Sequence, residues 1–349
     1  MPELEGRLVA TKQQFKSGDD KTLDFELTNR GDEDVHVLTW YTPLEGLWSD
    51  CLEVTRDGER VPYDGPLAKR GQPTENDYVL IPAGQTVSRS FALHRAYNVS
   101  PPGQYDVALD TEVQDYVTAE GDDTLNTKLG ASERVTAKQT LRGGATQFVV
   151  EPDGGHLPTE GEEVRKSEKS NKKGDAGAAA EAEKKAGPKD PEFNGGDAAQ
   201  QAATRQAHAD GYALAVAAVA ALSDNAQYKE WFGAHTAQRL QLVKEHYTKV
   251  RDTMQTTTFK YDLTSTGCGG SVYAYTYKGT TTVWMCDLFW SAPATGTDSK
   301  AGTVLHELTH AIAFTDDITY GQAKCRQLAI DNPDKAVRNA DTHEYYAGG

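Results

Sequence analysis

From Glu151 to about Glu192 the chain is built of Gly, Ala, Glu, Lys and Pro with almost no large apolar side chain. Such a stretch cannot bury enough surface to offset the entropy of ordering it, so it reads as a disordered linker. No single core can run through it. The 349 residues therefore divide into 1–150, the linker 151–192 and 193–349, and each flank is long enough for a core of its own.

The first flank reads as β. Leu23-Asp-Phe-Glu-Leu27, Val87-Ser-Arg-Ser-Phe91 and Tyr105-Asp-Val-Ala-Leu109 alternate apolar and polar residues, the period of a strand with one buried face. Turn signals separate them at Asn29–Asp32, Arg56-Asp-Gly58, Pro82-Ala-Gly84 and Pro101-Pro-Gly103. The expectation is an all-β, sandwich-like domain. His36 and His94 fall inside strand patterns and read as ordinary strand residues. Residues 116–150 are polar and irregular until a possible last strand at Gln147–Val150.

The second flank reads as α+β and mainly helical. Helices are expected over Ala198–Leu222, Trp231–Thr253, Ala301–Phe314, Gln322–Ile330 and Asp341–Ala347. A β-hairpin is expected between Val272–Tyr277 and Thr280–Met285. Cys268 and Cys286 bracket it and would tie it with a disulfide, while Cys51 and Cys325 are isolated. One bridge and two thiols suit a lightly stapled secreted enzyme and equally a reduced cytosolic protein. The N-terminus, MPELEGRLVA, has neither the basic nor the apolar region of a leader. Either a leader has been removed or export does not use that route.

The net charge of −16 argues against nucleic acid as a partner and weakly favours cationic ones. No apolar run reaches the roughly 18 residues that span a membrane.

The chemistry concentrates at His306-Glu307-Leu308-Thr309-His310. Residues four apart on a helix lie one above the other, so both imidazoles can share one Zn²⁺. Glu307 would lie beside the ion, placed to take a proton from water. The plain alternative is a helix with two satisfied histidines. A catalytic zinc site needs a third protein ligand, and Asp316 and Asp317 follow closely. The metzincin pattern would pair a ligand at 316 with a turn glycine at 313, where this chain has Ala313, so Asp317 is favoured and Asp316 is the second candidate.

Thr315-Asp-Asp317-Ile-Thr-Tyr320-Gly321 resembles the aspzincin motif of the deuterolysin family. The run Phe289–Thr303 is similar to that family's approach to its zinc helix. Asp331–Tyr345 resembles the peptidyl-Lys metalloendopeptidases within it, and the similarity covers most of Phe193–Ala347. The resemblance implies His306, His310 and Asp317 as zinc ligands, Glu307 as general base and Tyr320 as the hydroxyl that stabilises the oxyanion. It implies that Asp341 and Glu344, one helical turn apart, receive the lysine ammonium on the leaving side of the bond. By pattern alone, Asp-x-x-Glu is also a helix start of the capping-box type.

Family members carry a second disulfide near the start of the catalytic domain. The matching positions here are Gly196 and Leu263, so that staple is missing.

The resulting expectation is a secreted, monomeric zinc endopeptidase made as a zymogen, cutting proteins on the N-terminal side of lysine. Residues 1–150 would be a β-rich pro-domain that acts as its own inhibitor and folding aid. The linker lysines, from Lys166 to Lys189, would be processing sites. The rivals are a broad-specificity deuterolysin-like protease, a catalytic domain with a permanent β-sandwich binding module, and a non-catalytic zinc-binding or adhesion protein.

Overall fold

The computed structural model describes residues 3–118, 125, 138–141, 144–173, 187–264 and 268–348. The chain forms two compact units. One comprises Met1–Pro66 and Pro73–Glu163; the other comprises Leu67–Gln72 and Val164–Gly349. The boundary departs from the expected one in an instructive way. Six residues from the middle of the first flank, Leu67–Gln72, belong to the second unit, while the chain on both sides of them belongs to the first.

The first unit is β-rich, as its alternation predicts. Leu4–Ala10 pairs antiparallel with Thr22–Asn29, which pairs with Thr86–Ala92. A five-stranded sheet runs in the order Gln14–Lys16, Ala145–Glu151, Gly103–Leu109, Leu52–Arg56, Glu59–Arg60. Its inward residues Tyr105 and Phe148 stack at 5.3 Å. Asp57-Gly58 closes a hairpin with both residues at positive φ, the backbone that a tight two-residue turn requires. His36 lies in the strand Val35–Leu38 as expected, whereas His94 lies in the short 3₁₀ turn Leu93–Arg95.

The expected disorder of 151–192 needs correction where the chain is described, while residues 174–186 lie outside the described residues. Glu160–Lys173 is an α-helix. Its side chains find partners on the hairpin of the second unit: Arg165 donates to the Lys278 carbonyl at 2.9 Å, and Glu168 accepts from Thr281 N and Thr282 Oγ1 at 2.8 Å each. Few apolar residues are needed when polar ones dock this way, and composition does not reveal that. Among the proposed processing sites, Lys166 and Lys169 lie on this helix. The Lys189 backbone is engaged at both ends, its N–H to Met254 O and its carbonyl to His208. Lys184 and Lys185 lie outside the described residues.

The second unit has helices at Ala198–Ala221, Ala226–Phe232, Ala237–Thr256, Lys300–Leu308, Gln322–Asp331 and Ala340–Gly348, among others. The expected helix 231–253 is in fact two. Gly233 breaks it at φ 77°, and a Cβ there would come 2.0 Å from Ala329 O, so only glycine fits where the chain reverses. The zinc-motif helix packs on Ala198–Ala221 at Gly211, whose missing Cβ would stand 3.1 Å from Val304. Val304, Leu305 and Leu308 then share a core with Val243, Tyr247 and Met254.

Beside the helices lies a five-stranded sheet in the order Glu192–Asn194, Lys260–Asp262, Thr282–Met285, Val272–Thr276, Leu67–Arg70. The hairpin and the Cys268–Cys286 disulfide are as expected. The strand Leu67–Arg70 adds antiparallel to Val272–Thr276. Cys51 and Cys325 are buried thiols. At the missing-staple positions, a Cβ on Gly196 would meet Leu263 at 2.5 Å. The two positions are neighbours, filled here by a leucine side chain against a bare backbone. No helix among the described residues is long and apolar enough to cross a membrane.

Candidate active site

The zinc-motif helix starts at Ser299, whose Oγ accepts from Gly302 N at 3.0 Å and so satisfies one of the open N–H groups of the first turn. It ends in a wider π turn, Thr309–Ala313, and Phe314 reverses the chain in the left-handed region at φ 63°. Here the reversal falls one residue beyond Ala313, and it needs no glycine. Asn339 then pins the returning segment, its Oδ1 accepting from Ile318 N at 2.9 Å and Thr319 N at 3.0 Å.

These turns bring three donor atoms to one point. His306 Nε2 and His310 Nε2 are 3.0 Å apart, and Asp317 Oδ1 lies 3.1 Å from the second and 3.3 Å from the first. Donors about 2.0–2.1 Å from a tetrahedral zinc ion sit roughly 3.3 Å from one another, so the three edges suit that ion. The tautomers agree. His310 Nδ1 donates to the Thr315 carbonyl at 2.9 Å, which leaves the Nε2 lone pair for the centre. His306 Nδ1 faces Asp341 Oδ1 at 3.0 Å and Glu344 Oε2 at 3.5 Å. Burial works against a charged His306, yet Asp317, Asp341 and Glu344 outweigh it and hold its pKa well above the usual value. Two imidazole nitrogens and one carboxylate oxygen meeting in a buried space form a donor set that suits a divalent cation.

Asp316, the second candidate, is turned away. It pairs with Lys278 Nζ at 2.5 Å and lies 3.9 Å from Arg338.

Glu307 is fully buried, and burial pushes its carboxyl up to about 8. One oxygen, Oε1, accepts from the Lys69 backbone N–H at 2.8 Å. The neighbouring residue on that strand is held just as closely. Ala68 N donates to Asp317 Oδ2 at 2.7 Å, and the Tyr320 hydroxyl donates to the Ala68 carbonyl at 2.8 Å.

The Lys69 side chain is completely buried. Its Nζ lies 2.8 Å from Asp298 Oδ1, 3.0 Å from Asp341 Oδ1 and 2.9 Å from Glu344 Oε2. Tyr345 Oη stands at 3.4 Å and itself donates to Asp298 at 2.9 Å. Burial opposes the ammonium, but the carboxylates hold its pKa well above the usual lysine value. Glu344 reaches this place because Gly302 has no side chain, since a Cβ there would stand 2.6 Å from Glu344 Oε1. Asp341 has a further partner, accepting from Gly321 N at 2.8 Å.

A family model described as lysine-specific metallo-endopeptidase matches residues 217–348. The "Extracellular protease" of Aeromonas hydrophila is 33% identical over 99% of this chain and 91% of its own length. The chain belongs to the aspzincin family. The aspzincin is also 28% identical to the "Peptidyl-Lys metalloendopeptidase" of Grifola frondosa, over 92% of this chain and 86% of that one. A solved zinc peptidase from Grifola frondosa is 36% identical and covers 44% of this chain and 96% of its own, with a TM-score of 0.41. The aspzincin is a zinc-dependent metalloendopeptidase, and its substrates are peptides.

Every residue expected at the site of this aspzincin lies within one connected cluster, except the rejected Asp316. Sequence reasoning missed Asp298, Asn339 and Lys69. Asp298 stands just before the helix cap, in the left-handed region at φ 50°. A non-glycine residue held there was a signal that only the backbone could show.

Proposed function

We propose that the aspzincin hydrolyses peptide bonds on the N-terminal side of lysine and is made as a secreted zymogen, with residues 1–150 as pro-domain and processing in the segment that follows. The observation that carries this reading is Lys69, whose ammonium is enclosed by three carboxylates while its own peptide group lies against Glu307 and Tyr320. A neutral side chain would leave the buried carboxylates of Asp341 and Glu344 without their cation, a penalty that selects strongly for one. The compact ammonium suits three oxygens converging on one point better than a planar guanidinium does. The names of the Aeromonas hydrophila and Grifola frondosa relatives agree with extracellular action and with lysine.

His306, His310 and Asp317 would hold the zinc ion. When bound, it supplies Lewis acidity that polarises the scissile carbonyl and acidifies water. The rest belongs to the chain. Glu307 accepts a proton from the attacking water. The same carboxyl passes the proton to the leaving nitrogen, which its Oε1 already faces in the Lys69 contact. Tyr320 donates to the carbonyl oxygen as negative charge develops on it. Asp298, Asp341 and Glu344 fix the residue after the cut.

The test is a library of peptides with a single varied position, digested by the zinc-loaded enzyme and sequenced. Cuts are expected before lysine, with arginine well behind and neutral residues nearly uncut. Cleavage spread evenly over neutral residues would instead make this a broad-specificity protease.

A further inference from the structure

We propose that the Ala68–Lys69 bond is itself a substrate, cut by the catalytic unit that holds it. This rests on the lysine-specific reading above and names a processing site outside the segment 151–192. The argument is one of register. An inhibitory segment could occupy a cleft in either direction, or with its reactive bond displaced. This one runs antiparallel along Val272–Thr276, with Tyr275 opposite Ala68 and Ala274 opposite Lys69. An extended peptide added to a sheet edge is one recurring way a chain is bound, with main-chain hydrogen bonds for affinity and side-chain pockets for selectivity.

Along that strand each group of one peptide bond meets the partner its hydrolysis requires. The carbonyl oxygen of Ala68 accepts from the Tyr320 hydroxyl at 2.8 Å. The amide nitrogen of Lys69 donates to Glu307 Oε1 at 2.8 Å. The lysine ammonium sits in its seat on the C-terminal side of that bond, as an Xaa-Lys specificity demands. Ala68 has only a methyl side chain, and its N–H donates to Asp317 Oδ2 at 2.7 Å, so the residue adds no side-chain ligand of its own. In hydrolysis the C–N bond breaks, the water oxygen joins the Ala68 carbonyl carbon, and its proton travels through Glu307 to the Lys69 nitrogen. The second water proton leaves the new carboxyl group for the same nitrogen, so the products are a carboxylate at Ala68 and an ammonium at Lys69. Positioning in one molecule makes the step first-order.

The experiment uses the full chain purified without metal. Before zinc is added, Lys69 should resist an amine-acylating reagent that modifies exposed lysines, read by mass spectrometry. After zinc is added, a new N-terminus at Lys69 should appear at a rate independent of protein concentration. Glu307→Gln should lose the fragment and keep Lys69 protected. Lys69→Gln should lose the fragment, yet cut an added Ala-Lys peptide at least tenfold sooner than the full-length wild type. Lys69→Arg, which keeps a cation in the seat, should give the fragment at least tenfold more slowly. If zinc-loaded wild type cuts the added peptide before lysine while the 68–69 bond stays whole, the segment is a resistant inhibitor and the proposal fails alone. If the added peptide is cut without regard to lysine, the specificity reading fails first. Ready acylation of Lys69 in the metal-free chain would remove the seat and the proposal with it.

Discussion

His306 faces a different carboxylate cluster on each side of its ring. Nε2 meets Asp317 at 3.3 Å, in the metal corner, and Nδ1 meets Asp341 at 3.0 Å, in the lysine seat. Both clusters bury negative charge that must be compensated. The corner's donor set suits a metal ion, while the seat holds the Lys69 ammonium. On the proposed function the corner would be the permanent device for chemistry, and the seat the exchangeable one for choice of substrate. Because they share one imidazole, they are neighbours without being the same site, and perturbations should sort accordingly.

The largest expected effect belongs to the corner alone. Glu307→Gln should lower peptide hydrolysis by roughly 10³-fold or more, since it removes the proposed general base. Zinc content should stay at the wild-type level, because Glu307 is not among the three converging donors. Activity within tenfold of wild type would assign the base elsewhere.

Acid should attack the seat from behind. His246 Nδ1 lies 3.0 Å from His343 Nε2, and His343 precedes Glu344 on the same helix. Burial pushes His246 down to about 4 and His343 well below the usual value. Unfolded histidine titrates near 6.5. Between those pH values the unfolded chain binds protons that the folded one refuses at these two sites, so their contribution to stability is full above pH 6.5 and falls as pH drops. His246 alone would cost on the order of 3 kcal/mol by pH 4. His208, also held at about 4 by burial, works in the same direction. Melting of the metal-free Glu307→Gln protein against pH reads this without self-cutting. His246→Phe should flatten the slope, and an unchanged slope would remove His246 from the account.

A pair of substitutions separates the two sides more finely. Asp341→Asn touches both, and should weaken zinc binding by about 10–100-fold, as loss of a carboxylate partner to a ligand histidine does, as well as relax lysine selectivity. Asp298→Asn touches only the seat. It should raise KM for lysine substrates about tenfold and leave zinc affinity alone, matching a charged hydrogen bond of about 1.5 kcal/mol. Equal zinc affinities in the two variants would show that Asp341 does not support His306.

How much of this could be read in advance follows the same divide. His306, Glu307, His310 and Asp317 lie within twelve consecutive positions, and helical spacing alone aligns the first three. Asp341 and Glu344 share a helix face, so their pairing was legible although their direction was not. Asp298 comes from a loop, and Lys69 from a strand more than two hundred residues away. No periodicity links those to the motif; only the sheet edge at Val272–Thr276 does. The strands of the first unit were legible for the opposite reason, each carrying its own alternation. The helix at Glu160–Lys173 was not, because polar docking to Thr281 and Lys278 stands in for the missing apolar stripe. Gly233 hid the split of one long helix into two, since its role lies in the Ala329 carbonyl packed against it.

The smallest effect is the sharpest test of the seat's geometry. Gly302→Ala adds one methyl group, 2.6 Å from Glu344 Oε1 and 3.0 Å from its Cγ. Glu344 must then swing, and the ammonium loses the best part of one of three carboxylates. KM for lysine substrates should rise about threefold, the cost of weakening one charged contact among several. Alanine is the better helix former by up to about 1 kcal/mol, which offsets the crowding, so Tm should barely move. The metal corner lies one turn further along the helix and should keep its zinc. Stability and selectivity are thus expected to part company at a single methyl group. Were KM unchanged while Tm rose, Glu344 would be a packing residue, and the seat would rest on Asp298 and Asp341 alone.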